Sequence, residues 1–193
     1  MDLNIAFDRF SSIITLNEAE QNIFRELAEI IDYEKKTSIL SVGQVCRYEY
    51  FVLKGCLRTY YHDETQNSHT TMFAPEGWWT GNLKSFVREL PSEHFLESVE
   101  NSTLIRLNKR TLEELYSRVP KFERYFRILL QNRLLATQDR ISHHLSSSAE
   151  ERYRKFIQAY PDLIQRVPLK HIASYLGITP TYLSRLRAKK QVP

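Results

Sequence analysis

The sequence predicts an α+β chain in which a β-rich front half is followed by a long unbroken helix and then a helix-turn-helix. Three observations predict it. From Ser38 to Leu107, short runs rich in Tyr, Phe, Val, Thr and Ile are broken by Gly43, Gly55, His62-Asp63-Glu64, Pro75-Glu76-Gly77 and Pro91-Ser92, the texture of a β-sandwich or barrel. From Lys121 to about Leu145 there is neither Gly nor Pro, and apolar residues recur three and four apart. Residues 169 to 189 then carry small, capping and apolar residues at the offsets a helix-turn-helix requires. With 193 residues, 42% of them hydrophobic, the chain can hold one domain of average size and a smaller second one.

At the front, Thr15-Leu-Asn-Glu18 has capping-box spacing and is followed by Ile23, Phe24, Leu27, Ile30 and Ile31 at helical intervals, which predicts one amphipathic helix. Tyr48, Tyr50 and Val52 alternate, as do Leu57, Thr59 and Tyr61, so both runs are expected to be strands with one buried face. Beyond Lys109, Leu112, Leu115 and Tyr116 mark a short helix closed by Pro120. The long helix carries Phe122, Tyr125, Phe126, Leu129, Leu130, Leu134, Ile141 and Leu145 as its stripe. Such a stripe either packs on its own domain or forms a dimer seam. A helix of roughly 25 uninterrupted residues favours the seam, with Phe122, Phe126, Leu129, Leu130, Leu134 and Ile141 as its contacts. Ser146-Ser147-Ser148 makes a hinge-like break, and Ser148-Ala-Glu-Glu151 is a second capping box before a helix that Pro161 ends. The expected division is therefore residues 1–120, a β domain with its leading helix; 121–145, a dimerisation helix; and 146–193, a helix-turn-helix domain.

Each position of the terminal motif has a physical reason. Ile172 and Leu176 face inward, Ala173 sits where two steeply crossing helices come closest, and Gly177 can take the left-handed conformation that ends the first helix. Thr179 can cap the second helix and Pro180 occupies its first turn, where a missing N–H is harmless. With Leu183 and Leu186 inward, Thr181, Ser184, Arg185, Ala188 and Lys189 turn outward. A small, polar, cationic face suits the major groove of double-stranded DNA: Arg185 can pair with guanine, and Ser184 or Thr181 can meet a base edge. Tyr182, Arg187 and Lys190, at the flanks, are the expected phosphate contacts.

The charge distribution agrees. Residues 121–193 carry 14 Lys and Arg against 5 Asp and Glu, whereas residues 1–120 carry 13 against 18, and no acidic residue follows Asp162. A basic tail on an acidic front is the electrostatic footprint of a nucleic-acid binder, although a basic domain that only keeps itself soluble has the same balance.

The order of parts resembles the cyclic-AMP receptor and fumarate-nitrate regulator (Crp/Fnr) family over nearly the whole chain. The resemblance rests on Val52-Leu-Lys-Gly-Cys-Leu-Arg58, Pro120-Lys-Phe-Glu-Arg124, Ser148-Ala-Glu-Glu-Arg-Tyr153 and the stretch from Arg166 to Arg185, which together look most like the branch found in Bacteroidetes. It implies a jelly-roll effector domain of cyclic-nucleotide-binding type, a homodimer through the long helix, binding to a palindromic operator, and contact with RNA polymerase. It does not carry the usual effector with it. Members that bind cyclic AMP use a Gly-Glu pair and a downstream Arg; here the matching stretches read Thr80-Gly-Asn-Leu83 and Ser92-Glu-His-Phe95. Asn82 replaces the Glu and no Arg follows, so control by cyclic AMP is not expected; Arg88 is the nearest cation and reads as a surface arginine.

Other effectors fare no better on residue chemistry. An iron–sulfur centre needs four thiolates, and the sequence has Cys46 and Cys56. His62, His69 and His94 are possible haem ligands, but lone histidines in a β domain are more often structural. Tyr60, Phe73, Trp78, Trp79, Asn82 and Phe86 can line a small-molecule pocket, or the aromatic ones can simply be core. Jelly rolls also host metalloenzymes with a His-x-His pair, which is absent here, and His143-His144 are adjacent rather than on one helical face. The expectation is a cytoplasmic, non-enzymatic DNA-binding regulator without a cofactor or membrane association. The alternative is a ligand-sensing or protein-interaction module whose terminal helices dock a partner protein.

Overall fold

A computed structural model describes residues 3–190, the side chains of residues 144, 145, 189 and 190 lying outside that description. Two helices, α1 (Asn4–Ser11) and α2 (Glu18–Leu27), precede the strands β1 (Glu29–Tyr33), β2 (Ser38–Leu40), β3 (Tyr48–Lys54), β4 (Leu57–His62), β5 (Ser68–Ala74) and β6 (Trp79–Thr80). A short helix α3 (Leu83–Arg88) separates these from β7 (Phe95–Ser98) and β8 (Ser102–Asn108). The rest of the described chain is helical: α4 (Lys109–Arg118), α5 (Lys121–Ser146), α6 (Ala149–Ala159), α7 (Leu163–Arg166), α8 (Leu169–Leu176) and α9 (Pro180–Lys190).

The strands form two four-stranded sheets, ordered β1-β8-β3-β6 and β2-β7-β4-β5, the two-sheet jelly roll that the family resemblance implied. In the first sheet β8 pairs antiparallel with both β1 and β3, with Glu29 opposite Arg106 and Phe51 opposite Ile105. Strand β3 is buried on both faces from Glu49 to Val52 rather than on one, which corrects the alternation expected there. One face packs on helices: Phe51 meets Phe10 of α1 and Trp79 of β6. Phe10 lies edge-on to Phe24 at 4.9 Å, to Phe122 at 5.2 Å and to Tyr125 at 5.0 Å, so α1, α2 and the start of α5 share one aromatic core.

Three local expectations shift. The first capping box belongs to Asn17, whose side chain accepts from the Glu20 N–H while the Glu20 carboxylate accepts from the Asn17 N–H. The amphipathic helix ends at Leu27, and Ile30 and Ile31 lie in β1, because pairing with β8 satisfies their backbone in extended form. In β4 burial also departs from the expected alternation, with Leu57 and Arg58 both buried and Tyr61 exposed, whereas Ser148 and Glu151 form the expected reciprocal box that opens α6. Among the described residues no helix is long and apolar enough to cross a membrane.

The chain divides into two compact units. One comprises the residues up to Thr59 together with Phe73–Arg133; the other comprises Tyr60–Met72 together with the residues from Leu134 onward.

Candidate nucleic-acid interface

The second unit holds the helix-turn-helix. Ile172, Ala173 and Leu176 of α8 are buried, as are Leu183 and Leu186 of α9. Gly177 has φ +66° and donates its N–H to the Ala173 and Ser174 carbonyls, and the Ile178 N–H reaches the Ala173 carbonyl at 3.0 Å. A side chain at Gly177 would be strained in this left-handed conformation, so glycine is the residue that turns the chain between the two helices. Thr179 caps α9: its hydroxyl accepts from the Tyr182 N–H at 3.2 Å and its carbonyl from the Leu183 N–H at 3.0 Å. Pro180 opens the helix.

These constraints leave Thr181, Tyr182, Ser184 and Arg185 exposed along one side of α9. The Ser184 hydroxyl donates to the Pro180 carbonyl at 3.0 Å, which turns its free lone pairs outward as acceptors for an amino group on a base edge. Arg187 is half-buried, and its charge lies near the hydroxyl of Tyr153, whose pKa burial raises and Arg187 lowers. That places Arg187 against its own domain as well as at the flank of the helix. Lys189 and Lys190 close α9, and their side chains lie outside the described residues.

Contacts of three residues that the sequence did not flag, Tyr175, Ser174 and Arg152, hold this head in place. Phe156 of α6 packs on Tyr175 of α8 with ring centroids 5.6 Å apart, and the Arg140 guanidinium lies over the same Tyr175 ring. The Ser174 hydroxyl donates to the Ser68 carbonyl at 2.7 Å and accepts the Thr70 N–H at 2.9 Å, so α8 supplies a partner to two backbone groups of β5. Arg152 of α6 donates to the carbonyls of Leu176 and Ser147 at 3.0 and 2.7 Å. Serine and arginine at these positions have no periodic signature; each is recognised only once the carbonyls that it meets are placed.

In the first unit, Asn82 caps α3 by accepting the Ser85 N–H, and its side-chain amide donates to Ser92 Oγ at 2.9 Å. Ser92 Oγ in turn accepts the His94 N–H and donates to the His94 carbonyl. Glu93 pairs with Lys84 at 3.0 Å, and Arg88 is exposed at the end of α3. The segment where a cyclic nucleotide would meet Glu and Arg is thus cross-linked by an amide and a hydroxyl. An amide stands where the Glu would be, Ser92–Phe95 contains no guanidinium for an anionic phosphate, and that of Arg88 is exposed at the end of α3, so these residues do not fit such a ligand.

Of the other residues considered for a pocket, Phe73, Trp79 and Phe86 are buried, Trp78 is half-buried, and Tyr60 is half-buried in the second unit. Trp79 is a core residue: its indole N–H donates to the Tyr125 hydroxyl at 3.2 Å and its ring meets Phe126 at 5.0 Å. Glu49 was missed, although a carboxylate inside Tyr48–Leu53 is the one charge in an otherwise apolar run. It is buried, its Oε1 has no hydrogen-bond partner, and it occupies the space that a side chain at Gly81 would need. Burial raises its pKa to about 7, with the charge of Arg133 on α5 pulling the other way.

The seam expected on α5 needs a correction at its start. Phe122 is fully buried in its own chain, stacked on Phe24 with centroids 5.5 Å apart, and Phe126 is buried against Trp79, Tyr116 and Tyr125. Both serve the core of the first unit because α1, α2 and β6 surround that part of the helix. Farther along, Leu129 is half-buried, while Leu130, Leu134, Leu135 and Ile141 are 41%, 59%, 57% and 54% exposed. Leu135 was not anticipated as part of this face.

In this chain a jelly roll is followed by a long helix and a helix-turn-helix whose second helix has a polar outward face. Residues 30–119 match the family of the cyclic nucleotide-binding domain. The chain is 26% identical to the anaerobic regulatory protein of Pasteurella multocida, over 92% of this chain and 68% of that one. It is 24% identical to the fumarate and nitrate reduction regulatory protein of Vibrio cholerae, over 92% of this chain and 75% of that one. Among solved structures, FixK2 from Bradyrhizobium japonicum superposes with a TM-score of 0.71 at 19% identity, covering 84% of this chain and 83% of the other. Residues 30–119 therefore form a domain of cyclic nucleotide-binding type, and the chain as a whole is similar to these regulatory proteins in sequence and to FixK2 in fold.

Proposed function

We propose that this protein is a sequence-specific, DNA-binding transcription regulator that acts as a homodimer on approximately palindromic operators. The observation that carries the proposal is the capped α9, which turns Thr181, Ser184 and Arg185 outward from a buried Leu183 and Leu186. Lys189 and Lys190 extend the same helix with charge suited to phosphates. The exposed leucines and Ile141 on α5 support a seam that begins near Leu130, about two turns later than the sequence suggested. A dimer of this kind sets two copies of α9 on successive major grooves roughly 34 Å apart.

The division of labour proposed is effector domain to residue 120, dimerisation helix 121–145, and DNA-binding domain from residue 146. The regulator works in the cytoplasm, engages RNA polymerase at its promoters, catalyses no reaction, and is not switched by cyclic AMP, since Asn82 stands where that ligand needs Glu and the downstream stretch Ser92-Glu-His-Phe95 contains no Arg. The four stretches beginning at Val52, Pro120, Ser148 and Arg166 support a place in the branch found in Bacteroidetes.

The test is equilibrium binding to fragments of the source genome at several salt concentrations. A steep log–log loss of affinity with salt, with one sequence preferred over bulk DNA, is the expected result. Binding that is equal for all fragments, or absent, would overturn the proposal.

A further inference from the structure

Two helices of the second unit end close together, and a single side chain joins them. The carbonyl of Ser147 lies just beyond α5, and that of Leu176 is the last of α8, immediately before the Gly177 turn that leads into α9. The last carbonyls of a helix have no partner within it and concentrate the negative end of its dipole. The N–H groups of Gly177 and Ile178 go to Ala173 and Ser174, short of Leu176. Half-buried Arg152, at the first full turn of α6, supplies what both ends lack: its Nε donates to Leu176 at 3.0 Å and its Nη1 to Ser147 at 2.7 Å.

We infer that Arg152 is a positioning residue for DNA recognition, fixing the reading helix α9 relative to the end of the long helix α5 by bridging the Ser147 carbonyl just past α5 and the last carbonyl of α8. This rests on the proposed DNA-binding function. A planar guanidinium with donors on separate nitrogens can hold two carbonyls in fixed directions, whereas an ammonium presents one nitrogen to both. Arg152 has both of these donors turned to backbone carbonyls of its own chain, so its contribution is to orientation. Sequence-selective binding needs both copies of α9 in register with their grooves, whereas loose electrostatic binding to bulk DNA tolerates a swivelling head. Arg152 therefore governs selectivity while leaving the number of phosphate contacts unchanged.

The test compares the full chain with its Arg152→Gln and Arg152→Lys variants on DNA selected by the wild type, on scrambled DNA, and on sites whose half-sites are moved apart by one or two base pairs. Thermal melting and titration to stoichiometry establish the folded, binding-competent fraction of each protein. For Arg152→Gln the ratio of specific to non-specific affinity is expected to fall about tenfold, the loss of charge-assisted hydrogen bonds. The salt slope should stay at the wild-type value, and the penalty for altered spacing should shrink. Arg152→Lys, which keeps the charge near both helix ends, should lie between, and it carries the test if Arg152→Gln does not fold. An unchanged ratio in folded variants overturns the inference alone. So does a uniform loss on all DNA with a salt slope lower by about one, which would make Arg152 a phosphate contact. A wild-type protein without sequence preference overturns the DNA-binding proposal, and this inference with it.

Discussion

Replacing Glu49 by Gln removes a buried charge at nearly constant shape, and the consequence for stability can be worked out from its surroundings. The carboxyl lies beside Gly81, near the Arg133 charge, with Oε1 unpartnered, and its pKa stands at about 7 rather than the ordinary 4.5. Below pH 4.5 it is protonated in the folded and the unfolded chain alike and has no effect on the pH dependence. Between 4.5 and about 7 the unfolded chain ionises while the folded chain retains the proton, so stability falls as the pH rises. Above 7 the loss is complete. At 1.36 kcal/mol per pH unit it amounts to about 3 kcal/mol. The assay is denaturant unfolding of both proteins from pH 4 to pH 8.5. All other titrating groups are common to the two and cancel in the difference, so the Glu49→Gln variant should gain about 3 kcal/mol on the wild type between pH 4.5 and 8. A difference that stays constant across this range would refute the account of Glu49 as a buried, uncompensated carboxyl.

Phe122→Ala should cost about 3–5 kcal/mol in thermal or denaturant unfolding, because the ring is fully buried between Phe10 and Phe24; a loss under about 1 kcal/mol would contradict that placement. Leu134→Glu, at a side chain 59% exposed, should leave the melting temperature of the subunit fold nearly unchanged and convert a dimer to a monomer in sedimentation at micromolar concentration. A variant that remains dimeric would move the seam elsewhere. Arg185→Ala should relax base preference at one position in each half-site, by about 1–3 kcal/mol in selection from a random pool. An unchanged preference there would remove Arg185 from the reading face.

The parts that could be read from the sequence were those whose causes are local. Gly177, Thr179 and Pro180 specify a turn, a cap and a first helical position within four residues, and the structure places each in that role. The Ser148-Glu151 box and the absence of Gly and Pro through α5 are local in the same sense. What escaped depends on distant partners. Ile30 and Ile31 continue a helical period, yet they are strand residues because β8, more than seventy positions away, pairs with them. An apolar stripe such as that of α5 records that a face is covered but not by what. Its first two aromatic positions went to the chain's own core once α1, α2 and β6 were placed. Arg152 and Ser174 act on backbone carbonyls and amides brought near by folding, and side-chain identity alone does not reveal such a partner.

Selection of bound sequences from a random DNA pool tests the central claim most directly. The account predicts enrichment of an inverted repeat whose half-sites lie about 10 base pairs apart, bound by a dimer with an affinity that falls steeply with salt. A pool that remains random after repeated rounds, or a site without two-fold symmetry bound by a monomer, would contradict it.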